Sequence, residues 1–484
     1  MTRQSYAVRI WAIRKYKGAR KTTYTVRWAV EGNEFPKTFA TKKLAESFHA
    51  QLTTAAREGE PFDVESGLPV SMARELNKRS WYEHACGFVD MKWPRASGRH
   101  RKSIAEALAT VSFALFSTTR GMPDRAELRR ALYTWSFNTA ARASDPEQAV
   151  SRAVRWAAAN TVDIADMKDP VVTRRALDAL AVTLDGKPAA PTTIARKRAV
   201  LYGALRYAVE LGYLDANPID RVQWKVPKTT EEVDRRVVVN PAQARRLLAA
   251  VREEAPELEA LFACMYYAAL RPAEALHLRE SDLFLPNEDG ADPWGELLLT
   301  GSTQHVGAAW ADDGSARQDR ALKHRAANAT RPVPACPDLV RVLRRHLAEF
   351  GTGPDGRLFV PRVGKFGRPV AGASSASVSV STYTRVWRAA RKAALTPAEF
   401  ASPLARRPYD LRHAAVSLQL NAGVPATQVA EWAGHSVAVL LKVYAACLYG
   451  QEDAARRRIV AALSSSSESE GPDETSPRIR HGQP

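Results

Sequence analysis

The sequence predicts a mainly α-helical protein with small β-sheets, an α+β fold, from three observations. Apolar and polar residues alternate in short runs within residues 5–40, which is the period of a half-buried strand. Residues 72–222 instead repeat their apolar positions at helical spacing. Farther on, the apolar run 261–270 predicts a buried helix, and alternating β-branched residues over about 296–333 predict a second small sheet.

The first 66 residues predict a small basic domain. Three alternating runs are followed by a helix, in which Leu44, Phe48 and Leu52 recur at four-residue spacing. The runs are Tyr6–Ile13, Tyr24–Val30 and Pro36–Ala40. The first 43 residues carry 11 Lys or Arg against two Glu, a local charge of +9. We predict that residues 1–66 form a three-stranded sheet plus helix that contacts nucleic acid, and the alternative is a solvated basic face.

A helical domain is predicted over residues 72–224. Its six candidate helices are Ala73–Met91, Arg101–Phe116, Asp124–Trp135, Pro146–Ala158, Val172–Leu184 and Thr193–Leu211. A proline- and glycine-containing loop over 185–191 divides the last two.

A linker and a third domain follow. The charged segment 225–238 contains a proline and no helical apolar stripe, which is typical of a linker. Asn240 followed by Pro241 then favours a helix start, with a cap and a first-turn proline. The third domain is therefore predicted over 239–463. Residues 464–484 are rich in Ser and Glu and too poor in apolar residues to fold, so we expect a disordered tail.

The composition indicates a polyanionic partner. The chain has 484 residues, a formal net charge of +18 and a pI of about 9.8, and nucleic acid is the commonest partner of so basic a protein. Its four cysteines lack the Cys-x-x-Cys spacing of zinc sites, so we expect neither a metal site nor a disulfide framework. No long apolar run or signal-peptide segment occurs, so we expect a cytoplasmic protein without a membrane partner.

Two arginines suggest chemistry on phosphodiesters. Arg271 follows the buried apolar run, with Glu274 one turn away to orient it. Arg412 lies in Tyr-Asp-Leu-Arg-His at 409–413. The planar guanidinium group holds phosphate through paired donors, and two such groups could stabilise charge in a transition state. Alone, Arg271 with Glu274 would be an internal salt bridge.

A histidine and a tyrosine follow on short helices. Gly434 permits a turn that presents His435, and Ser436 can cap the helix that carries Tyr444. A tyrosine oxygen is a nucleophile that can form a covalent ester. The alternatives are that Tyr444 is a core residue of its apolar helix, or that the nucleophile is Tyr449.

In these segments the chain resembles the tyrosine recombinases, the family of phage and mobile-element integrases. The family's order of functional residues is met by Arg271, Arg412, His435 and Tyr444. His435 follows Arg412 by 23 residues, and Tyr444 follows His435 by 9. One such segment would be weak evidence, whereas three in order are strong evidence. The resemblance implies a tyrosine-recombinase catalytic domain over 239–463.

The resemblance also implies a lysine on a β-hairpin between the two arginines. Lys323 matches it, although Arg317, Arg320 and Arg325 are basic neighbours. The surrounding alternation and the turn residues upstream predict strands joined by polar turns.

The chain departs from the family pattern at two positions. Tyr409 stands where the family most often has histidine, and a tyrosine can hydrogen-bond phosphate or the nucleophile but is a poor base near neutral pH. Ala269 stands where glycine is common, and because alanine adopts positive φ less readily, we expect this turn to close differently. His413 is a supporting residue whose role is either structural or catalytic.

The resemblance implies site-specific recombination that integrates or excises a mobile element. Tyr444 would attack a DNA phosphate, giving a 3′-phosphotyrosyl intermediate and a free 5′-hydroxyl, while Lys323 would protonate the leaving oxygen. Charge would be stabilised by Arg271, Arg412 and His435. No metal or cofactor is implied. The implied partners are double-stranded DNA attachment sites, a homotetramer on DNA, and an excision factor or host DNA-bending factor.

The two upstream domains resemble the arm-type and the helical core-binding (SAM-like) domains of integrases. The residues expected to contact DNA are Arg14, Lys15, Lys17, Arg20, Lys21, Arg196, Lys197 and Arg198. Two alternatives stay open: a type IB topoisomerase that relaxes DNA by the same chemistry, and a DNA-binding protein without catalysis. The separate basic N-terminal domain favours an integrase, and only Tyr409 favours the non-catalytic alternative.

Overall fold

The computed structural model describes residues 3–18, 21–76, 78–225, 227, 232–286, 293–323, 326, 329–361, 377–444, 456, 457, 459, 460 and 463. The chain forms two compact units, Met1–Thr229 and Thr230–Pro484. Their boundary falls within the segment 225–238, and the finer division into domains stays a prediction. The tail predicted over 464–484 lies outside the described residues.

The first unit begins with an antiparallel sheet centred on β4. Its elements are β1 (Gln4–Ser5), β2 (Val8–Ile10), β3 (Arg14–Lys17), β4 (Thr22–Val30), β5 (Asn33–Phe39), α1 (Lys42–Arg57) and β6 (Phe62–Asp63). The predicted run Tyr6–Ile13 contains only β2, and β3 is a further strand that was not predicted; both pair with β4 along one edge. Arg9 faces Ala29 whereas Lys15 faces Tyr24, so the register slips by one residue, as at a β-bulge.

One face of this sheet packs on α1. Val26 and Trp28 alternate with exposed residues along β4 and are buried against Phe48 and Leu52 of the helix. Thr41 caps α1, as predicted, by accepting a hydrogen bond from the backbone N–H of Leu44 at 3.4 Å. The other face of the sheet is left to solvent.

The rest of the first unit is helical. Its α-helices are α2 (Val70–Leu76), α3 (Trp81–Lys92), α4 (Gly98–Ser112), α5 (Arg125–Ala131), α6 (Gln148–Asn160), α7 (Pro170–Leu180) and α8 (Pro191–Glu210). The single helix predicted over Ala73–Met91 is wrong. Ser80 begins a new helix there, because its hydroxyl accepts from the Glu83 N–H while the Glu83 carboxylate accepts from the Ser80 N–H.

The second unit is mainly helical with small antiparallel sheets, so the predicted fold class is confirmed. Its helices are α9 (Pro241–Glu254), α10 (Glu259–Tyr267), α11 (Pro272–Ala275), α12 (Pro337–Phe350), α13 (Val380–Ala394), α14 (Pro397–Ala401), α15 (Asp410–Asn421), α16 (Ala426–Ala433) and α17 (Val437–Tyr444). Its strands are β7 (Leu283–Phe284), β8 (Gly295–Leu299), β9 (Ser302–His305), β10 (Arg317–Arg320) and β11 (Arg331–Ala335). They form a β11-β8-β7 sheet and a β9-β10 hairpin.

Helix α10 lies at the centre of the second unit, since its residues 259–266 are all buried. Phe262 on this helix stacks on Trp387 of α13, with ring centroids 5.0 Å apart. A second, smaller apolar cluster forms around Tyr444 and includes Val233, whose N–H donates to the Val443 carbonyl at 2.9 Å. Residue 233 of the predicted linker is thus packed within the folded unit. Among the helices of the described ranges, none has the length and apolar character to cross a membrane.

Candidate active site

A strained turn positions the first arginine of the site. After α10 ends, Ala269 has a φ of 53°, in the left-handed region that glycine favours. The expectation that alanine would close this turn differently is therefore wrong, because alanine takes the glycine-like conformation at a cost of about 1–2 kcal/mol. Arg271 follows two residues later, immediately before α11. The Glu274 carboxylate accepts hydrogen bonds from the backbone N–H of Arg271 at 2.9 Å and from Nη1 of Arg271 at 2.7 Å.

The second arginine is fully buried. Arg412 lies in the first turn of α15 with 0 % of its surface exposed. Its guanidinium donates to the carbonyls of Ala269 and Ala433, and its Nη2 lies 2.8 Å from Nε2 of His435. Arg412 therefore ties the strained turn after α10 to the end of α16.

The Gly-His turn has the predicted form. Helix α16 ends at Gly434, which has a φ of 64°, and its carbonyl accepts from Nη2 of Arg271 at 2.9 Å. Because an arginine can only donate, Nε2 of His435 accepts, and the neutral ring carries its proton on Nδ1. Burial, with the charges of Arg412 and Arg271, lowers the pKa of His435 to about 3. The ring is neutral at physiological pH.

A third arginine belongs to this site and was not predicted. Arg331 on β11 is 1 % exposed, and its Nη2 lies 2.9 Å from Oε2 of Glu274. A Cβ atom at Gly434 would overlap the Arg331 guanidinium, so only glycine fits there. The signal was present in the strand, where Arg331, Val333 and Ala335 alternate on the buried face. A charge on that face requires a buried partner.

We call Glu274 with Arg271, Arg331 and Arg412 the Glu274 cluster. Burial alone would raise the pKa of Glu274, but the guanidinium groups of Arg331, Arg271 and Arg412 lower it to about 2. One carboxylate thus faces three guanidinium groups, and a charge of +2 remains. Two buried donors of the site, Nε of Arg412 and Nδ1 of His435, have no hydrogen-bond partner among the described residues. Buried donors of this kind favour a ligand that supplies acceptor oxygens.

The tyrosine lies beside this cluster. Tyr444 is 1 % exposed, and its ring stacks on His435 with centroids 6.2 Å apart. Its hydroxyl lies 2.9 Å from Nδ1 of His413. The ring of Tyr409 packs edge-on against His413 at 5.1 Å. The predicted residues of α15, α16 and α17 therefore meet at one place, whereas the rival Tyr449 lies outside the described residues.

The predicted lysine is not in contact with this group. Lys323 is exposed, three residues past β10, and makes no hydrogen bond or ion pair with any residue that the structure describes. Of its rivals, Arg317 and Arg320 lie on β10, and Arg325 is outside the described residues. A β9-β10 hairpin forms, but Lys323 lies past its second strand and not on it.

A second polar cluster holds the base of that hairpin. We call it the Asp319 cluster: Asp319, Thr303, Arg357, Asp355 and Arg279. Arg357 donates to Thr303 and to Asp319, both at 2.6 Å, and its Nε lies 2.8 Å from Asp355. Nη2 of Arg279 lies 3.7 Å from Asp319. Burial alone would raise the pKa of Asp319, but hydrogen bonds from His277, Thr303 and Arg357 hold it far below its usual value.

The predicted DNA contacts divide into exposed and buried residues. Exposed side chains on or beside β3 are Arg14, Lys15, Lys17 and Lys21, and Arg20 lies outside the described residues. On α8, Arg196 pairs with Glu106 at 3.1 Å, and the Arg198 guanidinium lies 5.9 Å from the Tyr202 ring centroid. Lys197 is only 6 % exposed and pairs with Glu106 at 3.2 Å. Its ammonium is therefore held in the interior, which does not suit a phosphate contact.

Comparison with known proteins gives similarity to solved structures alone. No protein-family model and no curated protein matches the chain. A structure of the Tn1549 transposon integrase with transposon right-end DNA is 16% identical, covering 62% of this chain and 85% of that one, with a TM-score of 0.41. XerH site-specific recombinase bound to difH is 13% identical, covering 81% and 96%, with a TM-score of 0.41. A lambda integrase tetramer on a Holliday junction is 13% identical, covering 89% and 91%, with a TM-score of 0.41. At such low identity, the function must be inferred from this chain's own residues.

Proposed function

We propose that this protein is a tyrosine-type site-specific DNA recombinase, an integrase of a phage or other mobile element. The observation that carries the proposal is the excess positive charge of the Glu274 cluster beside His435 and Tyr444. The Glu274 cluster keeps a charge of +2, and Arg412 and His435 each hold a donor without a partner among the described residues. A phosphate group supplies both the negative charge and the acceptor oxygens that these groups lack.

The chemistry follows from which groups surround that phosphate. Arg271, still 19 % exposed at its side chain, and the free donor of Arg412 would hold the phosphoryl oxygens as negative charge develops. His435 is neutral, so its Nδ1–H would add a hydrogen bond. Tyr444, stacked on His435, is the proposed nucleophile and would form the 3′-phosphotyrosyl ester. Because the ester keeps the energy of the broken bond, rejoining needs no nucleotide triphosphate.

Two parts of the proposal require movement. Tyr444 is almost wholly buried, so its attack requires the site to open when DNA binds. Lys323 is exposed three residues past β10, and we propose that it approaches the leaving 5′ oxygen and protonates it. The Asp319 cluster would hold the base of the hairpin while the segment that follows β10 and carries Lys323 moves.

The basic residues of the edge strand β3 and of the solvent-facing side of the N-terminal sheet are the proposed second DNA contact. Arg14, Lys15 and Lys17 are exposed on β3, and the Arg9 and Arg27 guanidinium groups lie 5.5 and 5.4 Å from the centroid of the Trp11 ring. Guanidinium groups on an exposed strand face can meet phosphates, and such binding weakens steeply with salt. Two DNA-contacting regions in one chain suit attachment sites with two kinds of sequence element and a homotetramer that bridges them.

The experiment that tests the function is trapping of a covalent DNA adduct. Bound duplexes would be selected from a random library, and the recovered sequence rebuilt with a nick just beyond the cleaved bond, so that the short leaving strand diffuses away. We expect the wild-type protein to form an adduct that survives denaturing electrophoresis, and Tyr444→Phe to bind the same duplex without forming one. Tyr449→Phe is the matched control and should retain the adduct.

Three outcomes separate the alternatives. An adduct together with strand exchange between two selected sites supports a recombinase. An adduct with relaxation of any supercoiled plasmid, and no exchange, supports a type IB topoisomerase. Tight binding without an adduct under all conditions refutes the enzymatic function and leaves a DNA-binding protein.

A further inference from the structure

His413 holds the nucleophile of the proposed reaction. It lies on α15 directly after Arg412, and its Nδ1 is 2.9 Å from the hydroxyl of Tyr444. That distance is a normal hydrogen bond. The Tyr444 ring is also fixed by stacking on His435 and by burial in the apolar cluster around α17.

Tyr409 does not make this contact. Its ring lies edge-on against His413 at 5.1 Å, and its hydroxyl has no hydrogen bond to any residue that the structure describes. The oxygen of a neutral phenol is also a weak proton acceptor. The position where a proton acceptor is expected is therefore filled by a group that supports His413 and does not reach the nucleophile.

The surroundings of His413 keep its ring neutral. The charged groups that face it are the guanidinium groups of Arg407 and Arg412, and the titratable groups are the hydroxyls of Tyr409 and Tyr444. Burial and those two positive charges lower the pKa of His413 to about 4. A neutral ring with its proton on Nε2 leaves the Nδ1 lone pair facing the tyrosine hydroxyl.

We propose that His413, in place of Tyr409, is the general base that takes the proton from Tyr444. This inference rests on the proposed function, since it assigns a role within that reaction. As the bond between Oη of Tyr444 and phosphorus forms, the hydroxyl proton passes to Nδ1 of His413, which becomes imidazolium. The bond from phosphorus to the 5′ oxygen breaks, and that oxygen takes a proton from Lys323, which becomes neutral. No oxidant, metal or further reactant is required for the balance.

His413→Asn is the informative variant. An asparagine side-chain oxygen lies close to the place of Nδ1, so it can still accept a hydrogen bond from Tyr444 and position it, but it cannot take up the proton. We expect single-turnover adduct formation to fall roughly 10²–10⁴-fold, the range of general-base catalysis, with DNA affinity and the thermal midpoint near those of wild type. Tyr409→Phe keeps the ring against His413, so its rate of adduct formation should fall less than about tenfold.

A sulfur substrate distinguishes base from acid. When sulfur replaces the 5′ bridging oxygen, the leaving thiol ionises near pH 8.5 and departs without protonation. We expect this substrate to restore adduct formation by Lys323→Ala but not by His413→Asn. In case the asparagine variant folds poorly, His413→Ala is assayed with added imidazole, which should restore part of the rate.

The outcomes that would overturn the proposal differ from those that would refute the function. If wild type forms the adduct and His413→Asn does so at an unchanged rate, His413 only positions the tyrosine and the base assignment fails. If the sulfur substrate restored adduct formation by His413→Asn, the base assignment would also fail, because His413 would then act on the leaving group. If wild type forms no adduct on any selected duplex, the proposed function itself fails.

Discussion

Two carboxylate-centred clusters in the second unit differ in how far their positive charge is neutralised. In the Glu274 cluster, one carboxylate serves three guanidinium groups. In the Asp319 cluster, the carboxylates of Asp319 and Asp355 face the guanidinium groups of Arg357 and Arg279, two against two. The second cluster is complete within the chain, whereas the first keeps an excess of charge that an anion can fill. Residue types alone do not distinguish an anion-binding site from a structural salt-bridge cluster, but the balance of charge does.

The largest predicted effect comes from removing one arginine of each cluster. Arg357→Met should lower the free energy of unfolding by about 3 kcal/mol or more, because it leaves Thr303, Asp319 and Asp355 without their shared donor. Arg331→Met should lower it by about 1 kcal/mol or less, since Glu274 keeps its pair with Arg271 at 2.7 Å. Chemical denaturation measures both.

Adduct formation should show the opposite order. Arg331→Met removes charge beside the proposed phosphate site, so we expect adduct yield per bound DNA to fall about tenfold or more. Arg357→Met should change yield only to the extent that protein unfolds at the assay temperature. Equal ratios of lost stability to lost activity in the two variants would remove the distinction between the clusters.

The sequence predicted one part of this contrast and missed the other. The turn at Gly434, the cap on α17 and the placement of Arg271 and Arg412 follow from local patterns and from a resemblance of ordered motifs. Arg331 was missed because its partner, Glu274, is 57 residues away in sequence, and only folding brings the two together. The contact of His413 with Tyr444 is likewise tertiary. Spacing can predict which helix carries a group, but not which neighbour it touches.

Acid should affect the two histidines of the site and the carboxylates of the two clusters in different pH ranges. The pKa values of His413 and His435 are lowered, to about 4 and about 3, so below pH 6.5 the unfolded chain binds protons that the folded chain does not. Stability should therefore fall as the pH drops from about 6.5. Glu274, with its pKa lowered to about 2, and Asp319, whose pKa is also lowered, contribute stability that is lost only below their ordinary values near 4.

A double variant assigns the first of these ranges. His413→Gln with His435→Gln should flatten the decline of the unfolding free energy between pH 6.5 and about 4.5, and leave the steeper loss below pH 4 in place. Denaturant titrations at half-unit pH steps provide the measurement. An unchanged slope in the upper range would show that these two rings do not remain neutral in the folded protein.

The smallest predicted effect concerns the backbone that supports each cluster. The Asp319 cluster has a glycine, Gly356, at its positive-φ position beside Arg357, with φ of 77°. The Glu274 cluster has Ala269, whose carbonyl receives the Arg412 guanidinium, at φ of 53°. Only the second arrangement stores strain, because alanine in the left-handed region costs about 1–2 kcal/mol.

Glycine substitutions at two adjacent buried alanines measure that strain. Ala268→Gly relieves nothing, since Ala268 has a φ of −100°. The loss of a buried methyl group and the greater flexibility of the unfolded chain should together cost about 1–2 kcal/mol. Ala269→Gly suffers the same losses but releases the strain, so the free energy of unfolding should stay within about 0.5 kcal/mol of wild type. The difference of about 1–2 kcal/mol between the two variants is the strain itself. Equal losses would mean that the turn before Arg271 is relaxed, and that the carbonyl facing Arg412 is held there without cost.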